Sequence, residues 1–407
     1  MSRLRAAVVA LATAVLVVAI PAVAPAQPAN PLPAGQQGCL PAPTATDPEQ
    51  PWGLRQLAPD RVWPFTTGGG VTVAVVDTGV DAATPQLAGR VLPGTDVVNP
   101  GAGPGDTDCY GHGTFVAGII AAMPSAGTGF TGVAPGVRIL PVRVANSGDD
   151  VTAGAMARGI RAGVDLGADV VNVSASTTVA DQELAAAVDY AEAHDVLVVA
   201  SAANSAQAGD PVTYPASYPT VIAVGAVDPD GKRADFSQTG PYLGLVAPGV
   251  DVVSIGPRGP GHWQGSGTSY AAPFVAGTAA LVRAYHPELT ATQVRARLRT
   301  TADHPAATLP DPEYGWGLVN PNAAVTAVLR DEPTVSNALP AASPPVVTPP
   351  DELGPILTVA GLATAAVLVF ALWLSARLGP AGRRRRWRPA RTVTVASAVP
   401  PGPVQRR

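Results

Sequence analysis

Three residues of this sequence, a carboxylate, an imidazole and a hydroxyl, stand in settings that suit nucleophilic catalysis. Asp77 ends an apolar run and is followed by Thr-Gly, which lets the chain turn sharply. His112 lies in Gly-His-Gly-Thr, where an apolar, helix-like segment begins. Ser269 ends the small-residue stretch Gly-Ser-Gly-Thr-Ser, directly before a helix-like segment at 270–285. Pro273 would fall in the first turn of that helix, where an amide donor is spare.

These residue types complement one another chemically. A serine hydroxyl is a weak nucleophile and needs a neighbouring imidazole to accept its proton. The imidazole needs a carboxylate that holds its tautomer and stabilises its charged form. Taken singly, each residue has an ordinary interpretation: an aspartate in a turn, a histidine at a helix start, a serine that caps a helix. Together, in the chain order Asp77, His112, Ser269, they predict a catalytic triad.

The elements that must position this triad follow a repeating strand–helix pattern. The strand-like segments are continuous apolar runs, as expected for parallel strands that are buried on both faces. This pattern predicts an α/β domain at 52–330, with a mainly parallel central sheet between helices and its active site at the carboxyl ends of strands. The predicted strands are 71–76, 139–144, 170–173, 196–199 and 221–224, and helices are predicted at 153–166 and 181–193.

The three motifs resemble those of the subtilases, and the resemblance covers residues 52–330. It implies a three-layer, subtilisin-like fold and a serine endopeptidase activity. In that family pattern, Asp77 orients the imidazole, His112 acts as general base and general acid, and Ser269 is the nucleophile.

The resemblance also implies an oxyanion hole and a substrate cleft. Asn204, which follows an apolar run, matches the family's oxyanion-hole Asn, although Ala203 replaces the Gly that usually precedes it. The family places a Ser and then glycines along the cleft, whereas this chain has Ser174, Ala175 and Ser176. We expect the cleft backbone to pair with an extended protein or peptide substrate, and we expect a narrower side pocket.

This chemistry requires no cofactor, and the sequence has no clear metal site. Some subtilases bind structural calcium, for which Asp106 and Asp108 are the nearest candidates, but no recognisable calcium-binding loop contains them. The other histidines lack the spacing of metal ligands. Two of them are predicted to mark helix ends instead, namely His194 and His286.

The charges of the chain are distributed asymmetrically. All 30 carboxylates lie between Asp47 and Glu352, and this segment carries 15 basic residues, whereas both ends of the chain are basic. An acidic main domain gives no support to nucleic-acid binding. Two arginines, the apolar run 6–20 and the small residues after it predict a signal peptide at 1–26. An uncleaved membrane anchor is the alternative.

A second apolar run lies towards the other end. Residues 356–374 carry no charge, are nearly long enough to cross a bilayer core of about 30 Å, and precede several arginines. A buried core helix is the alternative. We predict a Pro-rich linker at 331–353, a transmembrane helix at 354–376 and a basic cytoplasmic tail at 377–407. The catalytic domain would then be extracytoplasmic and held to the cell membrane by a single pass.

Two cysteines are present in the sequence, Cys39 and Cys109. An even count in an exported domain favours a disulfide between them, with two free thiols as the alternative. The bridge would fasten the segment 27–51 close to His112. That segment is too short to fold as an independent prodomain, so we expect an extension that wraps on the peptidase domain.

The whole layout resembles that of the mycosins, the membrane-anchored subtilases of type VII secretion systems. This resemblance implies cleavage of exported proteins at the outer face of the membrane, and a secretion membrane complex as partner. Mycosins commonly have a second cysteine pair, which this chain lacks. Two alternatives stay open: a structural stabiliser of that complex whose protease activity is dispensable, and a general surface subtilase.

Overall fold

A computed structural model describes residues 30–31, 38–148, 150–330, 332, 368 and 373. The chain divides into two units, Met1–Val335 and Ser336–Arg407. The predicted signal peptide, nearly all of the predicted linker and membrane span, and the predicted tail lie outside the described residues. Within the described part, no helix combines the length and apolarity that a membrane crossing requires.

The described residues form ten strands in two sheets. Seven strands make one sheet, in the order β3-β4-β2-β5-β6-β7-β8, and every neighbouring pair in it is parallel. The second sheet, β1-β10-β9, pairs β1 with β10 in parallel and β10 with β9 in antiparallel. The strands are β1 (Asn30–Pro31), β2 (Thr72–Asp77), β3 (Thr95–Asp96), β4 (Arg138–Arg143), β5 (Val170–Val173), β6 (Leu197–Ser201), β7 (Ile222–Val227), β8 (Leu243–Pro248), β9 (Val252–Ile255) and β10 (His262–Gly265).

Helices cover both faces of the large sheet and create two hydrophobic cores. Within β2, Val73 and Val75 belong to one core, and Ala74 and Val76 belong to the other. The first core contains α2 and α5, and the second contains α3 and α4. The helices are α1 (Trp52–Leu57), α2 (His112–Ala121), α3 (Ala153–Asp165), α4 (Gln182–Ala193), α5 (Thr268–Tyr285), α6 (Ala291–Thr300) and α7 (Pro321–Thr326).

This architecture confirms the predicted α/β class with a mainly parallel central sheet between helices. The five predicted strands correspond to β2, β4, β5, β6 and β7, with ends shifted by at most three residues. Sequence reasoning missed β8, because Gly244 interrupts its apolar run and Pro248 ends it, and it missed the short pair β9–β10. His194 and His286 cap the carboxyl ends of α4 and α5, as predicted.

Candidate active site

A cleft of about 470 Å³ opens where β2, β5 and β6 end. All three residues of the predicted triad line it, together with Asn204. The predicted substrate residues lie along the same cleft. The large sheet and the helices α2 and α5 therefore bring every predicted cleft residue together, although their positions in the chain span almost two hundred residues. The cleft residues in question are Asp77, His112, Ser174, Ala175, Ser176, Asn204 and Ser269.

The three triad side chains form a continuous hydrogen-bonded line. Nδ1 of His112 lies 2.8 and 2.9 Å from the two carboxylate oxygens of Asp77. Nε2 of the same ring lies 3.1 Å from Oγ of Ser269. Since an ionised carboxylate only accepts hydrogen bonds, Nδ1 carries the proton and Nε2 is left to accept one. The neutral imidazole is thus oriented to take a proton from the serine hydroxyl.

A glycine explains how the imidazole comes so close to the carboxylate. A Cβ atom at Gly113 would lie 2.0 Å from the carbonyl oxygen of Gly79 and 3.1 Å from Cβ of Asp77. Only a residue without a side chain allows the first turn of α2 to pack so closely against the loop after β2. The glycine after His112 in the motif is therefore required by this close approach.

The buried setting of the imidazole shifts its proton affinity in two directions. Burial acts to lower the pKa of His112, but the charge of Asp77 and its hydrogen bond raise that pKa, and the net result is a raised pKa. The ring of Tyr270 lies against the imidazole, with the ring centroids 5.2 Å apart. The cation that forms on proton transfer is thus favoured by the carboxylate on one side and shielded by an aromatic ring.

Helix α5 begins two residues earlier than predicted, which changes the role of its proline. Because the helix starts at Thr268, Pro273 lies in the second turn, and the prediction that it falls in the first turn is wrong. A proline in this position deprives the carbonyl of Ser269 of its usual intrahelical donor. The hydroxyl of Ser174 donates to that carbonyl at 2.8 Å, and Nδ2 of Asn172 donates to Oγ of Ser174 at 2.9 Å. A predicted cleft residue thus supports the backbone of the serine.

The Asn204 side chain is held by the start of α5. Its Oδ1 accepts hydrogen bonds from the backbone N–H of Thr268 at 2.8 Å and from the Thr268 hydroxyl at 2.9 Å. This leaves the two N–H groups of Nδ2 able to donate to an acceptor in the cleft. Ala203, the departure from the family pattern, has a φ of 83°, a left-handed conformation that favours glycine.

The two cysteines form a disulfide, Cys39–Cys109. The backbone N–H of Leu40 donates to the carbonyl of Cys109 at 2.7 Å, and the Leu40 side chain is buried against Gly111. Farther along the same N-terminal extension, the carbonyl of Ala45 accepts a hydrogen bond from the backbone N–H of His262 at 2.8 Å. None of the described residues of the extension lines the catalytic cleft.

Of the two aspartates considered for calcium, Asp108 has other partners for its carboxylate. Both carboxylate oxygens of Asp108 accept hydrogen bonds from protein donors. Asp106 contributes its backbone carbonyl to the N–H of Ala82. Across the described ranges, no group of three or more His, Cys, Asp or Glu residues is placed to hold a metal ion. Sequence reasoning missed the contacts of Asp108; its only signal was a position four residues before His112.

Comparison with known proteins gives a consistent result. Residues 68–317 match the model of the Subtilase family. Mycosin-1 of Mycolicibacterium smegmatis is 33% identical over 393 residues, which cover 83% of this chain and 86% of the relative. The structure of the MycP3 protease from the type VII (ESX-3) secretion system is 34% identical with a TM-score of 0.64, and the match covers 76% of this chain and 99% of that chain.

A second solved structure shows such a chain within an assembly. A chain in the structure of an intact ESX-5 inner membrane complex is 32% identical with a TM-score of 0.64. That match covers 87% of this chain and 97% of the other. Together with the family match, these similarities show that this chain belongs to the subtilase family and is a serine endopeptidase of the mycosin type.

Proposed function

We propose that Asp77, His112 and Ser269 are the catalytic triad of an endopeptidase that cleaves exported proteins at the outer face of the cell membrane. The observation that carries the proposal is the hydrogen-bonded line from Asp77 Oδ1 through the imidazole to Ser269 Oγ, with separations of 2.8 and 3.1 Å. Both distances are within the range required for proton transfer between a nucleophile and its base.

In the proposed reaction, Oγ of Ser269 attacks the carbonyl carbon of the scissile peptide bond while Nε2 of His112 takes the hydroxyl proton. The imidazolium then donates this proton to the departing amide nitrogen, and an acyl ester remains on the serine. Water, deprotonated by the same Nε2, hydrolyses the ester and regenerates the hydroxyl. Asp77 stabilises the imidazolium in both halves of the reaction.

The negative oxygen of each tetrahedral intermediate needs fixed donors. Asn204 supplies an Nδ2 hydrogen, since its Oδ1 is engaged by Thr268. The first backbone N–H groups of a helix have no intrahelical acceptor, and Ser269 lies in the first turn of α5. We assign the oxyanion hole to two donors, the Nδ2–H of Asn204 and the backbone N–H of Ser269. The dipole of α5 also favours the negative charge there.

We assign substrate binding to the segment after β5. Ser174, Ala175 and Ser176 line the cleft, and the chain next to them is extended, because Thr177 pairs with Tyr214 in an antiparallel bridge. An extended peptide can add to such a segment by backbone hydrogen bonds. The position of this segment along the cleft supports an extended protein or peptide substrate.

The proposed location rests on the sequence and on the relatives. The proposed domain order begins with a signal peptide (1–26), an extension (27–51) and the peptidase domain (52–330). It continues with a linker (331–353), a membrane helix (354–376) and a cytoplasmic tail (377–407). A similar chain is part of a solved ESX-5 inner membrane complex. We therefore infer a type VII secretion membrane complex as the partner of this chain, with the catalytic domain extracytoplasmic.

The triad is tested with the full-length protein in lipid nanodiscs. A fluorophosphonate probe, which reacts with activated serines, should label the wild type and a Ser266→Ala control but not Ser269→Ala. Labelling that persists in Ser269→Ala, or a wild type that neither reacts nor cleaves a peptide library, would contradict the proposal.

The similarity to a chain of the ESX-5 complex also favours a second function, stabilisation of the secretion membrane complex. The comparison that separates the functions is Ser269→Ala against deletion of the gene. Secretion that survives the substitution and fails on deletion would show a structural role. Equal loss in both strains would assign the phenotype to proteolysis, and a deletion without any effect on secretion would favour a general surface protease.

A further inference from the structure

A second buried carboxylate lies beside the proposed triad. Asp108 is only 4% exposed and receives four hydrogen bonds. Its Oδ1 accepts from the Gly111 N–H at 2.7 Å and from the Thr78 hydroxyl at 2.9 Å. Its Oδ2 accepts from the N–H and the hydroxyl of Thr114, both at 2.8 Å. Residues immediately before and two positions after His112 are thus fastened to a single side chain.

The arrangement of these donors favours an ionised carboxylate. Each oxygen of Asp108 faces one backbone N–H, which cannot rotate away, and one hydroxyl, which can. An asparagine would place its NH₂ group against a backbone N–H in either orientation. A carboxylate is the side chain of this size that satisfies both N–H groups.

The hydroxyl of Thr78 links the two carboxylates. Its Oγ1 lies 2.9 Å from Oδ1 of Asp108 and 3.3 Å from Oδ1 of Asp77, and it accepts the Gly113 N–H at 3.0 Å. A hydroxyl has one proton to donate, and the shorter distance directs it towards Asp108. Asp77 Oδ1 then keeps the His112 Nδ1–H and the N–H of Thr78 as its close donors.

We propose that Asp108 and Thr78 are positioning residues that fix the first turn of α2 and set the proton affinity of His112. The proposal deepens the proposed function and rests on it. Ionised Asp108 draws the Thr78 hydroxyl away from Asp77, so that Asp77 keeps its full charge for the imidazolium. A protonated Asp108 would donate to Thr78, whose hydroxyl would turn to Asp77 and weaken that stabilisation.

Electrostatics agrees with this geometry. Burial raises the pKa of Asp108 to about 6, against the hydrogen bonds of Gly111 and Thr114, which lower it. The charge of Asp77 raises the pKa of Asp108, and the charge of Asp108 adds to the raised pKa of His112. From β4, the guanidinium of Arg143 donates to the Thr78 carbonyl at 3.1 Å. Asp77, His112 and Arg143 are thus the charged or titratable neighbours on β2, α2 and β4, and Tyr270, whose ring lies against the imidazole, is the titratable neighbour on α5.

The test is the pH profile of kcat/KM for the full-length protein in nanodiscs. Asp108→Asn removes a negative charge near His112, so the midpoint of the acid limb should move down by about half a pH unit while kcat falls. Thr78→Val should lower kcat about tenfold, whereas Thr78→Ser, which keeps the hydroxyl, should stay within about twofold of the wild type.

The outcomes separate positioning from a merely structural role. An Asp108→Asn enzyme with lower kcat and an unmoved midpoint, or equal rates for the two Thr78 variants, overturns the proposal. Should Asp108→Asn fail to fold, the Thr78 pair decides alone. If the wild type is active and the Asp108 and Thr78 variants behave like it, only this inference is refuted. If the activity does not depend on Ser269, the proposed triad is refuted.

Discussion

At the residue scale, only a few side chains of the cleft take part in the proposed reaction, and several others fix their positions by hydrogen bonds. Ser269 is supported through its carbonyl by Ser174, and Asn204 is oriented by Thr268. These supporting bonds run between elements that are far apart in the sequence. The effect of a substitution therefore depends on whether it removes a reacting atom or a bond that fixes one.

Substitutions of Asn204 can separate the loss of a reacting group from the loss of a supporting hydrogen bond. Asn204→Ala should lower kcat by about 10²–10³-fold with little change in KM, because the lost donor acts on the oxyanion and not on the bound substrate. Steady-state kinetics on a peptide substrate measures this. Asn204→Asp is the matched variant, since it keeps an oxygen for Thr268 but loses the N–H donors. A kcat close to that of the wild type in both variants would exclude Asn204 from the oxyanion hole.

Ala203 makes a prediction about stability. Its φ of 83° places a Cβ atom where glycine is favoured, at a cost of about 1–2 kcal/mol, so Ala203→Gly should stabilise the fold by up to about 1 kcal/mol. Denaturant unfolding followed by tryptophan fluorescence measures the change. The control is Ala202→Gly, at a buried neighbour, which should lose stability. Equal effects of the two substitutions would contradict the strain at Ala203.

At the element scale, the strands that carry the site were the most predictable part of the fold. Continuous valine-rich runs such as β5 are typical of parallel strands that are buried on both faces. The carboxyl ends of such strands lie at one edge of the sheet, and Asp77 and Asn204 both line the cleft there. The contacts of Asp108 could not be predicted, because its donors come from the β2 loop and from α2. The early start of α5 could not be predicted either, because its first residue, Thr268, donates to Asn204, which lies 64 positions earlier in the chain.

The disulfide fastens the extension to the segment before α2. Closing a loop of 70 residues stabilises a fold by about 4 kcal/mol in the chain-entropy description. Replacing Cys39 and Cys109 together by serine should therefore lower the free energy of unfolding by several kcal/mol. Denaturation of the full-length protein in nanodiscs measures this, with the reduced wild type as reference. An unchanged unfolding midpoint in the double variant would show that the bridge does not stabilise the domain.

The strand β10 contributes a buried histidine with a separate consequence. Burial lowers the pKa of His262 to about 4, and its Nε2 lies 3.1 Å from Oε1 of Gln86. The unfolded chain binds a proton near pH 6.5, so the stability from neutral His262 is complete above that pH and is lost as the pH falls towards 4.

Denaturant unfolding at several pH values tests this expectation. The wild type should lose about 2–3 kcal/mol between pH 6.5 and pH 4 relative to His262→Gln, whose side chain does not titrate. Asp108, with its raised pKa, acts in the opposite direction in both proteins and cancels in the difference. Parallel stability curves for the two proteins would contradict the assignment.

At the scale of the whole molecule, charge and hydropathy suggest a direction across the membrane. The acidic segment between two basic ends is the order that a single-pass protein with an external domain produces. In intact spheroplasts, added protease should therefore degrade the peptidase domain, whereas an epitope tag placed within 377–407 should be digested only after the membrane is permeabilised. A tag that is accessible in intact cells would reverse the proposed topology.

The position of the proposed nucleophile in the chain has a consequence for incomplete copies of the protein. Asp77 and His112 belong to the first part of the domain, but Ser269 lies on α5, whose residues fill the centre of the first core. A chain that ends before α5 lacks both Ser269 and the residues that this helix contributes to the first core. Copies cut before this helix therefore lack the proposed nucleophile together with a large part of the core, so that loss of the fold and loss of proteolysis come together.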